Sequence, residues 1–197
     1  MRLARWTIAL AALAGLAAGP AMAGTVTLSG TRSNTSPGGS PTGRCAPALT
    51  VSFAPGAFAA SGTSTVGDFT YTASHCIAGP PPGNYFDGLF QWTLATGTLF
   101  GTHTGSLTAS GTPGVFNVLE SLLFTGGTGQ FAGASGFANA VGTLSFGQFN
   151  GAPASFGNVR FVGELTAAGV PEPATWGLLL AGFGMAAVVR RRRTAVA

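Results

Sequence analysis

His103 and Glu120 are the side chains of this 197-residue sequence best placed to do acid–base chemistry, because each shares a strand face with apolar residues. Glu120 alternates with Phe116, Val118, Leu122 and Phe124, and His103 with Leu99 and Leu107. On the inner wall of a barrel both would point into the lumen, where a carboxylate must take a raised pKa or find a partner. Tyr85 and Trp92 are the further candidates for lining such a cavity. The plainer alternative puts Glu120 at a bulge or sheet edge and makes His103 a satisfied core residue. No catalytic set is assigned. No Ser sits in a Gly-x-Ser-x-Gly elbow, and Asp68, Ser74 and His75 share nothing beyond proximity.

The elements that would position these groups have a period of two. From Tyr85 onward, Phe86, Gly88, Phe90, Trp92 and Leu94 alternate with Asp87, Leu89, Gln91, Thr93 and Ala95, giving a strand with one buried face. Thr96-Gly97 turns the chain. From Thr98 to Ala109, a hydroxyl face of Thr98, Thr102, Thr104, Ser106 and Thr108, broken by Phe100, opposes Leu99, Gly101, His103, Gly105 and Leu107. Further strands are expected at Thr25–Gly30, Leu49–Phe53, Gly67–Ala73, Val115–Phe124, Phe137–Phe149 and Ser155–Thr166, each bounded by Gly, Pro, Asn or Ser. No stretch between the two ends reads as a helix. The fold class is therefore all-β, an antiparallel β-barrel or β-sandwich.

Charged residues make up 7% of the chain while Gly numbers 32, so the surface is built largely from hydroxyls and amides. All the basic residues are arginines, and most lie at the ends. Between Gly24 and Gly169 only Arg32, Arg44 and Arg160 remain, against Asp68, Asp87, Glu120 and Glu164. With no basic cluster on the folded part, nucleic acid is not an expected partner despite the high overall pI.

Arg2 and Arg5, an apolar run from Trp6 to Ala18 and the small-residue site Ala21-Met22-Ala23 read as a signal peptide over residues 1–23. Cleavage between Ala23 and Gly24 by signal peptidase after Sec export leaves 24–169 as the extracytoplasmic domain. At the other end, Val170-Pro171-Glu172-Pro173 precedes an uncharged run from Ala174 to Val189 and four arginines, Arg190, Arg191, Arg192 and Arg193. As a helix the run spans about 24 Å at ~1.5 Å per residue, and Trp176 with the flanking arginines extends its fit to a hydrocarbon core of ~30 Å. The two prolines keep the segment before Ala174 extended, as a protease requires. The alternatives are a retained N-terminal anchor and an ordinary C-terminal anchor.

The segment from Val170 to Ala197 resembles the PEP-CTERM sorting signal, through Pro171-Glu172-Pro173-Ala174, Trp176, Gly182-Phe183-Gly184 and the arginine cluster. This subgroup has Ala after the second Pro. Where many of its members have a Met pair after the Trp, this sequence has Gly177-Leu178. The resemblance implies recognition and cutting by an exosortase, a transient membrane anchor, and delivery to the cell surface or extracellular matrix, with exopolysaccharide as a possible partner in biofilm.

In an exported chain the lone pair Cys45 and Cys76 ordinarily forms a disulfide, with a contribution of about 3–4 kcal/mol in the chain-entropy model. A metal site using both with His75 and His103 is the competitor, but the close ligand pairs of zinc sites are absent and His75 and Cys76 would face opposite ways. No metal and no cofactor is expected.

The stretch Phe124-Thr125-Gly126-Gly127-Thr128-Gly129-Gln130-Phe131-Ala132-Gly133-Ala134-Ser135-Gly136 is similar to a strand-turn-strand signature of small barrels like those of allene oxide cyclase and dirigent proteins. Gln130 stands where Arg or Lys is common. Its glycines allow a tight corner, with Phe131 plugging the barrel end. Three classes of function remain: a non-catalytic surface or matrix protein, a barrel binding a small ligand or carbohydrate, and a cyclase-like barrel enzyme.

Overall fold

The computed structural model describes residues 23–53 and 60–168. The signal-peptide helix and the transmembrane helix of the sorting tail, both expected from sequence, fall on residues outside the described ones. Nine strands follow one another: β1 (Gly24–Pro37), β2 (Leu49–Phe53), β3 (Ala60–Ser64), β4 (Phe69–Ile77), β5 (Gly83–Leu94), β6 (Gly97–Ala109), β7 (Val115–Gly127), β8 (Ser135–Phe149) and β9 (Ala152–Ala167), with a short 3-10 turn at Gly129–Phe131. All neighbours pair antiparallel in the order β2-β4-β3-β1-β9-β8-β7-β6-β5. A further pairing of β4 with β5 closes the sheet into a ring. β2 and β3 lie on the same edge of β4, β3 beside Phe69–Tyr71 and β2 beside Ala73–Ile77. Closure leaves no long unpaired edge, and a ring of about eight strands has an interior just wide enough for side chains or one small ligand.

Turn chemistry fits this path. Asn150-Gly151, both at positive φ (51° and 79°), join β8 to β9 in the left-handed conformations that a two-residue hairpin requires. Glycine also makes room for inward rings. A β-carbon on Gly62 would come within 2.4 Å of the Phe69 ring, and one on Gly30 within 2.6 Å of Phe161.

The barrel is filled unequally along its axis. At the end where β1 begins and β9 finishes, Trp92 stacks on Phe69 at 4.0 Å and meets Phe124 and Phe161 at 5.2 and 5.1 Å. Leu28, Leu99 and Leu165 are fully buried there, and Phe131 of the 3-10 turn is 2% exposed, so this pole is plugged. Trp92, expected to line a cavity, is instead at the centre of the plug, because its large ring finds aromatic neighbours on three sides.

Three sequence expectations change. The alternation predicts Phe86 on the buried face of β5, yet it is 38% exposed and Tyr85 points inward. A bulge with Asp87 at φ 47° inserts a residue and shifts the alternation. β1 runs past Gly30 to Pro37, and its inward positions Arg32, Asn34 and Ser36 are polar and buried. Finally, Ala60–Ser64 forms a strand although it carries no apolar alternation.

Candidate functional site

Glu120 lies mid-strand in β7, 1% exposed, away from any bulge or edge. From across the lumen Arg32 on β1 grips its carboxylate with both terminal nitrogens, Nη2 to Oε2 at 2.7 Å and Nη1 to Oε1 at 3.3 Å. His103 on β6 donates from Nδ1 to Oε1 at 2.8 Å, since an ionised carboxylate only accepts. The Arg32 guanidinium also stands 4.3 Å from the centre of the Tyr71 ring on β4. His75, on β4, packs against Tyr85 at 4.7 Å and His103 at 5.4 Å between ring centres.

Small residues in neighbouring strands let these rings lie flat in the lumen. Gly88 is the register partner of His103, and a β-carbon there would fall 2.0 Å from the imidazole Cδ2. Gly105 is the partner of Tyr85, with a corresponding approach of 2.2 Å to Cζ.

Burial alone would raise the Glu120 pKa, but the Arg32 charge and the hydrogen bonds from His103 and Arg32 hold it down at about 2. Burial opposes the Arg32 charge as well, and Glu120 overcomes it, leaving that pKa raised. Burial lowers His75 to about 3, helped by the neighbouring His103 and by the Arg32 and Arg44 charges against the opposing pull of Glu120. Tyr71 and Tyr85 are pushed upward, mainly by burial, and stay phenols.

Two adjoining cavities reach this group. The outer one, about 270 Å³, opens at the pole opposite the plug and is walled by Leu49, Val51, Ile77, Leu107, Leu144 and Phe146. The inner one, about 60 Å³, is floored by Arg32, Tyr71, His103 and Glu120. Both share Phe53, His75, Ile77, Tyr85, Leu107 and Leu144 as common lining. Arg32 Nε, Tyr71 Oη, His75 Nδ1 and His103 Nε2 are all enclosed, lack a hydrogen-bond partner, and belong to residues lining the inner cavity. Buried polar atoms are ordinarily partnered, and four around one space have the chemistry to hydrogen-bond an oxygen-bearing group.

Of the candidates drawn from sequence, Glu120, His103 and Tyr85 therefore meet at the cavity and Trp92 does not. Arg32, Tyr71 and Asn34 belong to the site without having been singled out. The available signal was weak: an arginine two residues from Asn34 in a chain with few charges. Cys45 and Cys76 are joined, fastening the connection between β1 and β2 to β4 beside the mouth. In the same connection Arg44 donates to Ser74 Oγ at 2.9 Å and to the Ser74 and Asp87 carbonyls. No group of three or more His, Cys, Asp or Glu among the described residues could hold a metal ion. Ala23 precedes β1, which starts at Gly24.

Residues 169–193 match the family model of the PEP-CTERM protein-sorting motif. The chain thus carries this motif at its C-terminal end, which supports an exported protein anchored there before exosortase processing. No curated protein matches the chain. No solved structure matches it either.

Proposed function

We propose that this chain is an exported cell-surface or matrix protein, without turnover of its own, whose barrel holds a small, neutral, largely apolar molecule by an oxygen-bearing end. The observation that carries this reading is the set of four unpartnered polar atoms around the inner cavity, beneath an apolar outer chamber. Arg32 Nε–H and the Tyr71 hydroxyl offer donors to a carbonyl, ether or hydroxyl oxygen. Because Glu120 already matches the Arg32 charge, a neutral end is favoured over an anion.

The same electrostatics speak for binding rather than turnover. His103 and Glu120 do converge beside a cavity, as a cyclase-like enzyme would require. Yet a general acid or base works best with a pKa near the operating pH, and Glu120 and His75 lie at about 2 and 3.

Gly24 pairs with Ala167, so both ends of the domain leave from the plugged pole. After Sec export, removal of residues 1–23 by signal peptidase and exosortase cutting near Pro171–Pro173, attachment at that pole leaves the mouth free to face exopolysaccharide or solvent. Intact-mass measurement of the secreted form is expected to show an N-terminus at Gly24 and loss of the arginine cluster. A secreted chain that kept the tail would remove the sorting reading.

The cavity is tested with prodan, a neutral naphthalene ketone whose emission shifts to the blue in apolar surroundings. Saturable one-to-one binding is expected, weakened at least tenfold by Leu144→Trp, which fills the outer chamber. Absence of a saturable shift, or equal binding by Leu144→Trp, would refute the ligand assignment.

A further inference from the structure

The outer wall of the barrel carries a second feature, independent of the cavity. Across β7, β8 and β9 the strand registers arrange outward residues in three successive rows. One row is Leu119, Val141 and Arg160. The middle row is Ser121, Asn139 and Val162, with Ser121 donating to Asn139 Oδ1 at 3.1 Å. The last is Leu123, Phe137 and Glu164. The five apolar members are between 46% and 61% exposed, and Arg160 and Glu164 are exposed too.

A contiguous apolar patch flanked by rows of hydroxyl side chains has the composition of an interaction surface. On one side β1 presents Thr25, Thr27, Ser29 and Thr31, and on the other β6 presents Thr102, Thr104 and Ser106. Arg160 and Glu164 are four residues apart on one strand, ~13 Å at about 3.3 Å per residue, too far to pair with each other. The ion pairs of the described residues both belong to Glu120, so these two outer charges are unpaired among the described residues.

We propose that this wall binds a second copy of the same chain about a two-fold axis running along the middle row. Such an axis exchanges the outer rows. Leu119 then faces Leu123 of the second copy, Val141 faces Phe137, and Arg160 faces Glu164, twice over by symmetry. Each apolar side chain meets an apolar one and each charge meets its opposite, which is the self-complementarity that an isologous interface demands. No other pairing of the three rows satisfies both charges: a face laid on itself without the exchange sets Arg160 against Arg160.

Sedimentation velocity on the full chain, solubilised in detergent, tests the arrangement. The wild-type chain is expected to be dimeric. Arg160→Glu and Glu164→Arg should each weaken association at least tenfold, and the double exchange Arg160→Glu/Glu164→Arg should restore it. All three should bind prodan as the unaltered chain does, which separates this surface from the cavity. A wild-type monomer, a dimer indifferent to both single exchanges, or a double exchange that stays dissociated would overturn the proposal.

Discussion

Glu120→Gln is expected to lower the unfolding free energy by about 3–5 kcal/mol, the usual consequence of removing one partner of a buried ion pair. The substitution keeps the shape of the side chain and its ability to accept from His103. What it removes is the charge that faces Arg32, a guanidinium 8% exposed, with Nε already lacking a partner. For a domain with a total stability of roughly 5–15 kcal/mol the loss is a large fraction. Denaturant unfolding measures it. Arg32→Met combined with Glu120→Gln should recover much of the loss, because the stranded charge goes with it, and a double-mutant cycle gives the coupling. Equal destabilisation by the single and double variants would show that the pair is not coupled in this way.

The same network sets a pH profile. His75 has its folded pKa depressed to about 3 against a usual 6.5, so the unfolded chain takes up that proton first as pH falls. Stability is full above pH 6.5 and declines below it. Glu120, depressed to about 2 from 4.5, adds a second decline below pH 4.5 that continues as pH falls through its folded value. In Glu120→Gln the second component is gone.

Cys45→Ser/Cys76→Ser is expected to cost about 3–4 kcal/mol in the chain-entropy model for two cysteines 31 residues apart. The bridge holds the connection that carries Gly38 and Gly39, which line the outer cavity. Prodan affinity should therefore fall together with the melting temperature. An unchanged affinity with lowered stability would confine the disulfide to holding the fold.

The fold was most legible where one face of a strand is apolar. The alternations of β6 and β7 put His103 and Glu120 on the same face as Leu99, Leu107, Val118 and Leu122, the face that turns inward, although sequence alone leaves open a bulge or edge for Glu120 and a satisfied core position for His103. β1 beyond Gly30 gave no such signal. Its inward row is Arg32, Asn34 and Ser36: Glu120 meets the terminal nitrogens of Arg32, Asn34 lies over Gly157 where a β-carbon would not fit, and Ser36 bonds the Ser155 hydroxyl, all contributed by strands distant in sequence. A polar inner row reads as a loop until its partners are known. That is also why Arg32, the counter-charge of Glu120, was invisible while Glu120 was not. In β5, the bulge at Asp87 exchanged Phe86 for Tyr85, since a single inserted residue reverses every assignment upstream of it.

The pairing of β9 along its whole length, with β1 on one side and β8 on the other, has a mechanical meaning. A domain held by its C-terminal end transmits any pull directly into β9. The hydrogen bonds on both edges lie across that line of force, so they are loaded together in shear and are not opened one after another. Flow or drag on the outer pole is thus resisted by the two most extensively paired seams of the barrel, those that β9 makes with β1 and with β8.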